Sequence, residues 1–291
     1  MQSVGSAIDA VHAQFEQADL YFGHGTDNAW DEAVALVLTV SGASDDQASL
    51  ALPLSDEHWH AVNQLANQRV QTRSPLAYLL GRCQYRGLEF IVRPGMIVPR
   101  SPLGFLLPDA ISPWQSQPVQ RVVDLCSGTG CLGIIAAMVY PDAEVALIEL
   151  DAAACEVAQA NVALHQLTER VSVQQGDVNK LDLPPSDLII CNPPYVNAED
   201  MQDLPAEYQA EPKQGLAAGD DGLAVMGPLL DRASDLLNPG GVFLGEVGLS
   251  AAALVARFEA LPLVWLDLPH GGDGVFLLEA DALSSHTARL S

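Results

Sequence analysis

At 291 residues, 49% of them hydrophobic, the chain has material for a sizeable core and for roughly two domains of usual size. Its 37 acidic residues stand against 13 basic ones, a net charge of −24, and the only lysines are Lys180 and Lys213. Such a surface repels polyphosphate, which argues against tight binding to duplex DNA, and it attracts a basic protein. A host with a salty interior, where acidity keeps proteins soluble, accounts for the same balance, and the two readings are compatible. Apolar runs such as residues 33–40 fall far short of the roughly 20 residues that span a bilayer. Residues 1–15 lack the basic and apolar blocks of a signal peptide. Cys83, Cys126, Cys131, Cys155 and Cys191 form no C-x-x-C pair and no metal-like spacing. No metal is expected, and a reducing cytoplasm is the expected setting.

Residues 8–21 carry Ile8, Val11, Phe15 and Ala18 at helical spacing, and residues 31–40 and 56–71 repeat the pattern. Ser55, ahead of Asp56 and Glu57, reads as an N-cap. Residues 84–98 alternate Leu88, Phe90 and Val92 and meet a turn at Pro94-Gly95, which predicts a β-hairpin. From Val119 onward strands alternate with helices, which implies a parallel sheet. The last two strands, residues 263–268 and 275–279, flank a glycine turn, so an antiparallel strand is expected at the end of that sheet. No internal repeat or low-complexity segment is present.

Two stretches carry chemistry. In the first, an apolar strand ends at Asp124, the loop Cys126-Ser127-Gly128-Thr129-Gly130 follows, and residues 131–140 read as a helix stopped before Pro141. Glycines let a backbone approach a ligand closely, and a helix N-terminus presents unpaired N–H groups. Gly128, Gly130 and Gly133 fit the G-x-G-x-x-G fingerprint, with Glu149 ending the next strand about 20 residues on, so a nicotinamide dehydrogenase is one reading. Cys126 and Cys131 read as small packing residues. In the second, the apolar run 187–191 leads into Asn192-Pro193-Pro194-Tyr195. Consecutive prolines hold the chain extended and lack N–H groups, so the backbone offers carbonyl acceptors. The Asn192 carboxamide beside such a carbonyl makes a pair of acceptors for an –NH2 group, with Tyr195 as a flat wall. That arrangement suits chemistry on an amide or amino nitrogen, and a dehydrogenase would leave it without a task.

Taken in order, Asp124, Glu149, Gly176-Asp177 and Asn192-Pro193-Pro194-Tyr195 resemble the successive motifs of class I S-adenosylmethionine-dependent methyltransferases. Asn-Pro-Pro-Tyr is shared by protein glutamine methyltransferases and adenine-specific DNA methyltransferases. Further stretches select the first group: Tyr21-Phe22-Gly23-His24-Gly25-Thr26-Asp27-Asn28, Pro75-Leu76-Ala77-Tyr78-Leu79, Val98-Pro99-Arg100-Ser101-Pro102, and Gly271-Gly272-Asp273-Gly274-Val275-Phe276. Together with residues 192–204 they resemble the protein-(glutamine-N5) methyltransferase family over nearly the whole chain. In detail they are most similar to the branch that modifies large ribosomal subunit protein three, with the release-factor branch as the neighbour. Charge and the lack of a target-recognition region set DNA methylation aside.

The resemblance implies an α/β, Rossmann-like fold, mostly parallel, with a terminal antiparallel strand. It implies a helical substrate-recognition domain (1–82), a β-hairpin connector (83–100) and an S-adenosylmethionine-dependent catalytic domain (101–291). The enzyme is expected to be a cytoplasmic monomer that methylates the N5 amide of a glutamine in a basic protein, either the ribosomal protein or a release factor, with no DNA or membrane partner. For the cofactor, the backbone of Cys126, Ser127, Gly128, Thr129 and Gly130 is expected to lie against the methionine part. Asp124 fixes the loop or accepts from the ammonium group. Glu149 accepts both ribose hydroxyls, Asp177 accepts the adenine amino group and Val178 packs on its ring. Asn192 and the Pro193 carbonyl hold the substrate amide, Asn192 also touching the cofactor, while Pro194 and Tyr195 line the substrate side chain. Asn192, Pro193 and Tyr195 form the expected catalytic set. His24 and His270 are expected to be structural or to contact substrate. Arg100 is expected to form an ion pair locking the hairpin to the catalytic domain, and residues 211–222 to shape the substrate entrance.

Overall fold

The computed structural model describes residues 2–268 and 274–283. The chain divides into two compact units, Met1–Arg100 with Pro205–Glu211, and Ser101–Leu204 with Pro212–Ser291.

The first unit holds α1 (Val4–Gln17), α2 (Ala29–Ser41), α3 (Asp56–Thr72) and the short α4 (Leu76–Leu80), followed by the strands β1 (Arg82–Tyr85) and β2 (Leu88–Ile91). Ser3, Asn28 and Ser55 cap the three long helices, their side chains accepting from the N–H groups of Ser6, Asp31 and His58. Each such cap is worth about 1 kcal/mol. The box between Ser3 and Ser6 starts α1 at Val4, ahead of the apolar spacing that begins at Ile8. The apolar faces meet in one core, where Ile8, Val11, Phe15, Leu36, Val37, Val62 and Ala66 are no more than 1% exposed. The hairpin turns at Arg86-Gly87 and not at Pro94-Gly95: Tyr85 pairs with Leu88, and the two turn residues have φ of 51° and 73°. Positive φ at both positions gives the turn whose twist matches the flanking strands. Pro94, lacking an N–H, follows the ladder instead of bending it.

Buried charge completes this unit. Arg69, 1% exposed, places Nε 2.5 Å from Glu32 and Nη1 3.3 Å from Glu207, and Arg73 reaches Glu207 at 3.2 Å. Arg100 forks onto Glu211 at 2.6 and 2.7 Å, and the Val98 N–H donates to the same carboxylate at 3.0 Å. Burial alone pushes the Glu211 carboxyl up, but the neighbouring His24 ring and the Arg100 guanidinium outweigh it and hold it at about 2. Arg100 therefore does form an ion pair. Its partner, placed by the sequence at a substrate entrance, has a fully buried side chain and belongs to the same unit as Arg100.

The second unit contains α5 (Leu103–Leu106), β3 (Arg121–Leu125), α6 (Cys131–Val139), β4 (Glu144–Glu149), α7 (Ala152–Leu164), β5 (Val171–Gln175), β6 (Ser186–Cys191), β7 (Leu237–Glu246), β8 (Val264–Trp265) and β9 (Val275–Glu279). Its seven strands lie in the order β5-β4-β3-β6-β7-β9-β8. The first five are parallel, β9 is antiparallel to β7, and β8 pairs antiparallel with β9 at the edge. Residues 269–273 between β8 and β9, including His270, Gly271, Gly272 and Asp273, lie outside the described residues. Residues 122–125 of β3 and 188–191 of β6 are buried throughout, the mark of parallel strands covered on both faces. From β3 the sheet runs one way through β4 and β5 and the other way through β6, with Leu125 beside Cys191. This reversal opens a crevice at the carboxyl ends of β3 and β6, where ligands of open α/β sheets bind. No helix among the described residues is long and apolar enough to cross a membrane.

Candidate active site

Both motifs read from the sequence emerge at that crevice, one from the end of β3 and one from the end of β6. Asp124 is fully buried; its Oδ2 accepts the Gly133 N–H at 2.8 Å, while Oδ1 has no hydrogen-bond partner. Burial pushes its carboxyl up to about 7, the negative charge of Glu149 adds to the shift and the Gly133 hydrogen bond opposes it. After Leu125 the loop bends through Cys126 (φ 60°), Gly128 (φ 54°) and Gly130 (φ 80°). The glycines differ in purpose. A Cβ at Gly128 would meet nothing within 4 Å, whereas one at Gly130 would lie 2.8 Å from Leu147. Gly128 thus presents open backbone, and Gly130 lets the loop and α6 settle onto β4.

Asn161 anchors the loop from α7: it is fully buried and its Nδ2 donates to the Thr129 carbonyl at 2.9 Å. Sequence reasoning passed over Asn161, although it interrupts the apolar face made by Val157, Ala158 and Val162. Ser127 is 7% exposed, and its Oγ has no partner. Burial and the Cys126 thiol beside it push the Cys191 thiol up, which fits both cysteines as packing groups.

Glu149 ends β4 with both carboxylate oxygens turned into the loop. Oε2 accepts from Gly128 N–H at 2.8 Å, and Oε1 from Leu150 and Asp151 N–H at 2.7 and 2.9 Å. Three acceptor sites are thereby used, and a carboxylate has about four. Asp177 accepts from Asn179 N–H at 3.0 Å and pairs with Lys180 at 2.7 Å, and Lys180 holds its carboxyl below the ordinary range. Val178 is 5% exposed and packs into the core beneath the sheet.

Beyond β6, Pro193 is buried while Asn192, Pro194 and Tyr195 are half-buried. The Asn192 carboxamide makes no hydrogen bond to any described residue, which leaves its oxygen and nitrogen open to a ligand. Tyr195 is fully engaged: its carbonyl accepts from Ser250 Oγ at 2.7 Å and its phenol donates to Glu246 at 3.0 Å. Glu246 escaped the sequence reading, yet it ends β7 as Glu149 ends β4, an acid closing an apolar run. After Tyr195 the chain bridges from Val196 to Ala217, and Leu216, Ala218 and Leu223 anchor residues 212–223 in the interior, while Lys213, Gln214, Asp220 and Asp221 are exposed. His24 lies in the first unit, its ring 4.5 Å from that of Tyr208 and its Nε2 3.5 Å from Glu211. Among the described residues no three His, Cys, Asp or Glu side chains gather as a metal site.

A family model for the methyltransferase small domain matches residues 110–221. A ribosomal protein uL3 glutamine methyltransferase from Francisella tularensis is 38% identical over 270 residues, covering 91% of this chain and 86% of that protein. One of the same description from Bordetella pertussis is 38% identical over 291 residues, covering 98% and 97%. Among solved structures, the hMettl16 catalytic domain in complex with MAT2A 3'UTR hairpin 6 shares the fold at a TM-score of 0.53 and 14% identity, covering 81% of this chain and 86% of that one.

Proposed function

The chain belongs to the ribosomal protein uL3 glutamine methyltransferase family, and on that premise we propose that it methylates the side-chain amide nitrogen of a glutamine in uL3, acting as a cytoplasmic monomer. The observation that carries this reading is the uncommitted Asn192 carboxamide at the sheet's reversal, beside the buried Pro193. S-adenosylmethionine is the methyl donor, and when bound it supplies an electrophilic methyl on a sulfonium that departs as a neutral thioether. The residues fit that donor. Asp124 Oδ1 and Ser127 Oγ are buried without partners, and the space at Gly128 is open. Asp124 and the backbone of residues 126–130 would hold the methionine part, Glu149 the ribose with its remaining acceptor capacity, and Asp177 and Val178 the adenine.

An amide nitrogen is a poor nucleophile because its lone pair is delocalised into the carbonyl. Asn192 Oδ1 and the Pro193 carbonyl, each accepting one N–H, raise electron density at that nitrogen and fix the direction of its lone pair. Fixing the approach in this way removes several kcal/mol of barrier. Tyr195 lies along the glutamine side chain. No protein base is required, since the nitrogen becomes acidic as it attacks and releases its proton to water. The acidic surface of the chain suits a strongly basic ribosomal protein.

Incubation with labelled S-adenosylmethionine, unmodified uL3 and unmodified release factor, followed by mass mapping, tests the reading. Label on a uL3 glutamine is expected; label on the release factor alone would move the substrate to that neighbour, and label on neither would refute the proposal. Asn192→Ala is expected to retain cofactor binding while methyl transfer falls about 10²–10³-fold, the usual cost of one preorganised polar contact. Asn192→Asp retaining much of the activity would show that the side-chain acceptor suffices. Its failure alongside Ala would assign a task to the amide donor as well.

A further inference from the structure

The stretch Val98-Pro99-Arg100-Ser101-Pro102 divides in its middle. Arg100 closes the first unit on Glu211, while Ser101 opens the second and turns its hydroxyl to Glu246. Glu246 is the last residue of β7 and only 6% exposed. Its Oε2 accepts from Ser101 Oγ at 2.5 Å and its Oε1 from the Tyr195 phenol at 3.0 Å. Ser101 is 4% exposed and its Oγ also accepts the Leu103 N–H at 3.2 Å, so that hydroxyl is fixed from both sides. An ionised carboxylate is acceptor-only, so it takes both hydroxyls as donors at once and through short, charge-assisted bonds.

Glycines hold the Tyr195 ring from another direction. Gly248 has φ of 46°, and a Cβ there would lie 2.6 Å from the Tyr195 ring. Behind it stands Gly274, φ 78°, where a Cβ would lie 2.3 Å from the Gly248 carbonyl oxygen. The Gly274 carbonyl accepts the Val247 N–H at 2.7 Å, tying β9 to the turn after β7. Ser250 fixes the Tyr195 carbonyl, and Gly222 leaves it room, since a Cβ at Gly222 would meet the Ser250 hydroxyl at 1.9 Å. Phenol, ring face and carbonyl of Tyr195 are therefore held at three positions of one stretch, Glu246, Gly248 and Ser250, which Ser101, Gly274 and Gly222 back from other segments.

We propose that Glu246 is a positioning residue for glutamine methylation: with Ser101 it fixes the pitch of the Tyr195 ring, and through that ring the line along which the substrate amide reaches Asn192 and Pro193. The proposal rests on the function proposed above. It gives Ser101 and Gly274, both in motifs that carry the family resemblance, a shared physical purpose. Neither touches the reacting atoms, and both act on the residue that lines the substrate.

The test is a double-mutant cycle. Glu246→Gln keeps the shape but has one acceptor oxygen and a nitrogen that cannot accept, so one hydroxyl loses its acceptor and the other its charge assistance. Glu246→Gln and Tyr195→Phe are each expected to lower kcat about tenfold, with the calorimetric Kd for S-adenosylmethionine unchanged. The double variant is expected to be no slower than the slower single. Ser101→Ala should lower kcat less, and not at all in the Tyr195→Phe background. Effects of Glu246→Gln and Tyr195→Phe that multiply would overturn the proposal, as would a fall in thermal midpoint with kcat intact. Fluorine NMR of fluorotyrosine-labelled protein provides a readout free of methyl transfer. The Tyr195 resonance, assigned by its loss in Tyr195→Phe, should move in both Glu246→Gln and Ser101→Ala, and a stationary resonance would overturn the linkage. A parent chain inert toward glutamine would refute the function instead, and the fluorine shift would still decide whether Ser101, Glu246 and Tyr195 are linked.

Discussion

Glu32, Glu207 and Glu211 in the first unit and Asp124 and Glu149 in the second are all carboxylates in protected settings, but they meet opposite company. Each acid of the first unit faces a guanidinium, from Arg69, Arg73 or Arg100. Those of the second face backbone N–H groups: Gly133 for Asp124, and Gly128, Leu150 and Asp151 for Glu149. Among the described residues no Lys or Arg reaches either of them. The titrations follow. Glu207 and Glu211 are held below the usual carboxylate range by their donors despite burial, while Asp124 is pushed up to about 7. An acid that the chain completes with its own cation is architecture. One that the chain leaves to a proton is suited to a cation brought from outside, such as the ammonium group of an amino-acid moiety.

The sharpest way to break this contrast is Arg69→Met. It leaves Glu32 and Glu207 buried with too few partners and is expected to destabilise the protein by about 3–5 kcal/mol in urea unfolding. Adding Glu32→Met should recover part of that loss. A cost near zero for the single variant would remove the architectural reading. Next comes the pH dependence of Asp124. Because its folded pKa lies above the unfolded value, the native state holds the proton more tightly, so stability is greatest at acid pH and falls as pH rises from about 4 to about 7. At roughly 1.4 kcal/mol per pH unit the loss is at most about 4 kcal/mol. Asp124→Asn should abolish that slope and raise stability at pH 8 while weakening cofactor binding. An unchanged slope would show that the buried charge is relieved in some other way. Glu149→Ala should lower cofactor affinity by about 1.5–3 kcal/mol, one charged hydrogen bond's worth, and should also lower stability, because the Gly128, Leu150 and Asp151 N–H groups lose their acceptor. The smallest effect is expected on the exposed hairpin, where Arg82 and Glu89 pair at 3.1 Å with side chains 51% and 39% exposed. Arg82→Ala should cost under about 1 kcal/mol, and salt should erase it.

The features legible in the sequence are those whose cause is local. Ser55 before an acidic pair, glycines after a strand, and two prolines after another each determine backbone shape within a few residues, and the structure has them in that form. The order of the motifs along alternating strands and helices also brought Asp124 and Asn192 to one end of one sheet. Three features were not legible, each for a physical reason. The hairpin turn was assigned to Pro94-Gly95 because proline and glycine signal turns, whereas Arg86 takes positive φ without being a residue that advertises it. Glu211 read as part of an acidic loop because nothing within its neighbourhood announces Arg100, 111 positions away. Glu246 drew no reading at all because its partners, Ser101 and Tyr195, come from two other segments. Long-range pairing leaves no local pattern.

The short segment Pro205–Glu211 sets how this chain can be cut and recombined. A fusion at the Arg100–Ser101 boundary inherits Arg69, Arg73 and Arg100 from one parent and Glu207 and Glu211 from the other. Unless both parents agree at all five positions, the hybrid places a charge in a dry interior with no counterpart. The unit of inheritance is therefore discontinuous. A graft of the first unit must carry the seven residues Pro205–Glu211 from the middle of the second with it.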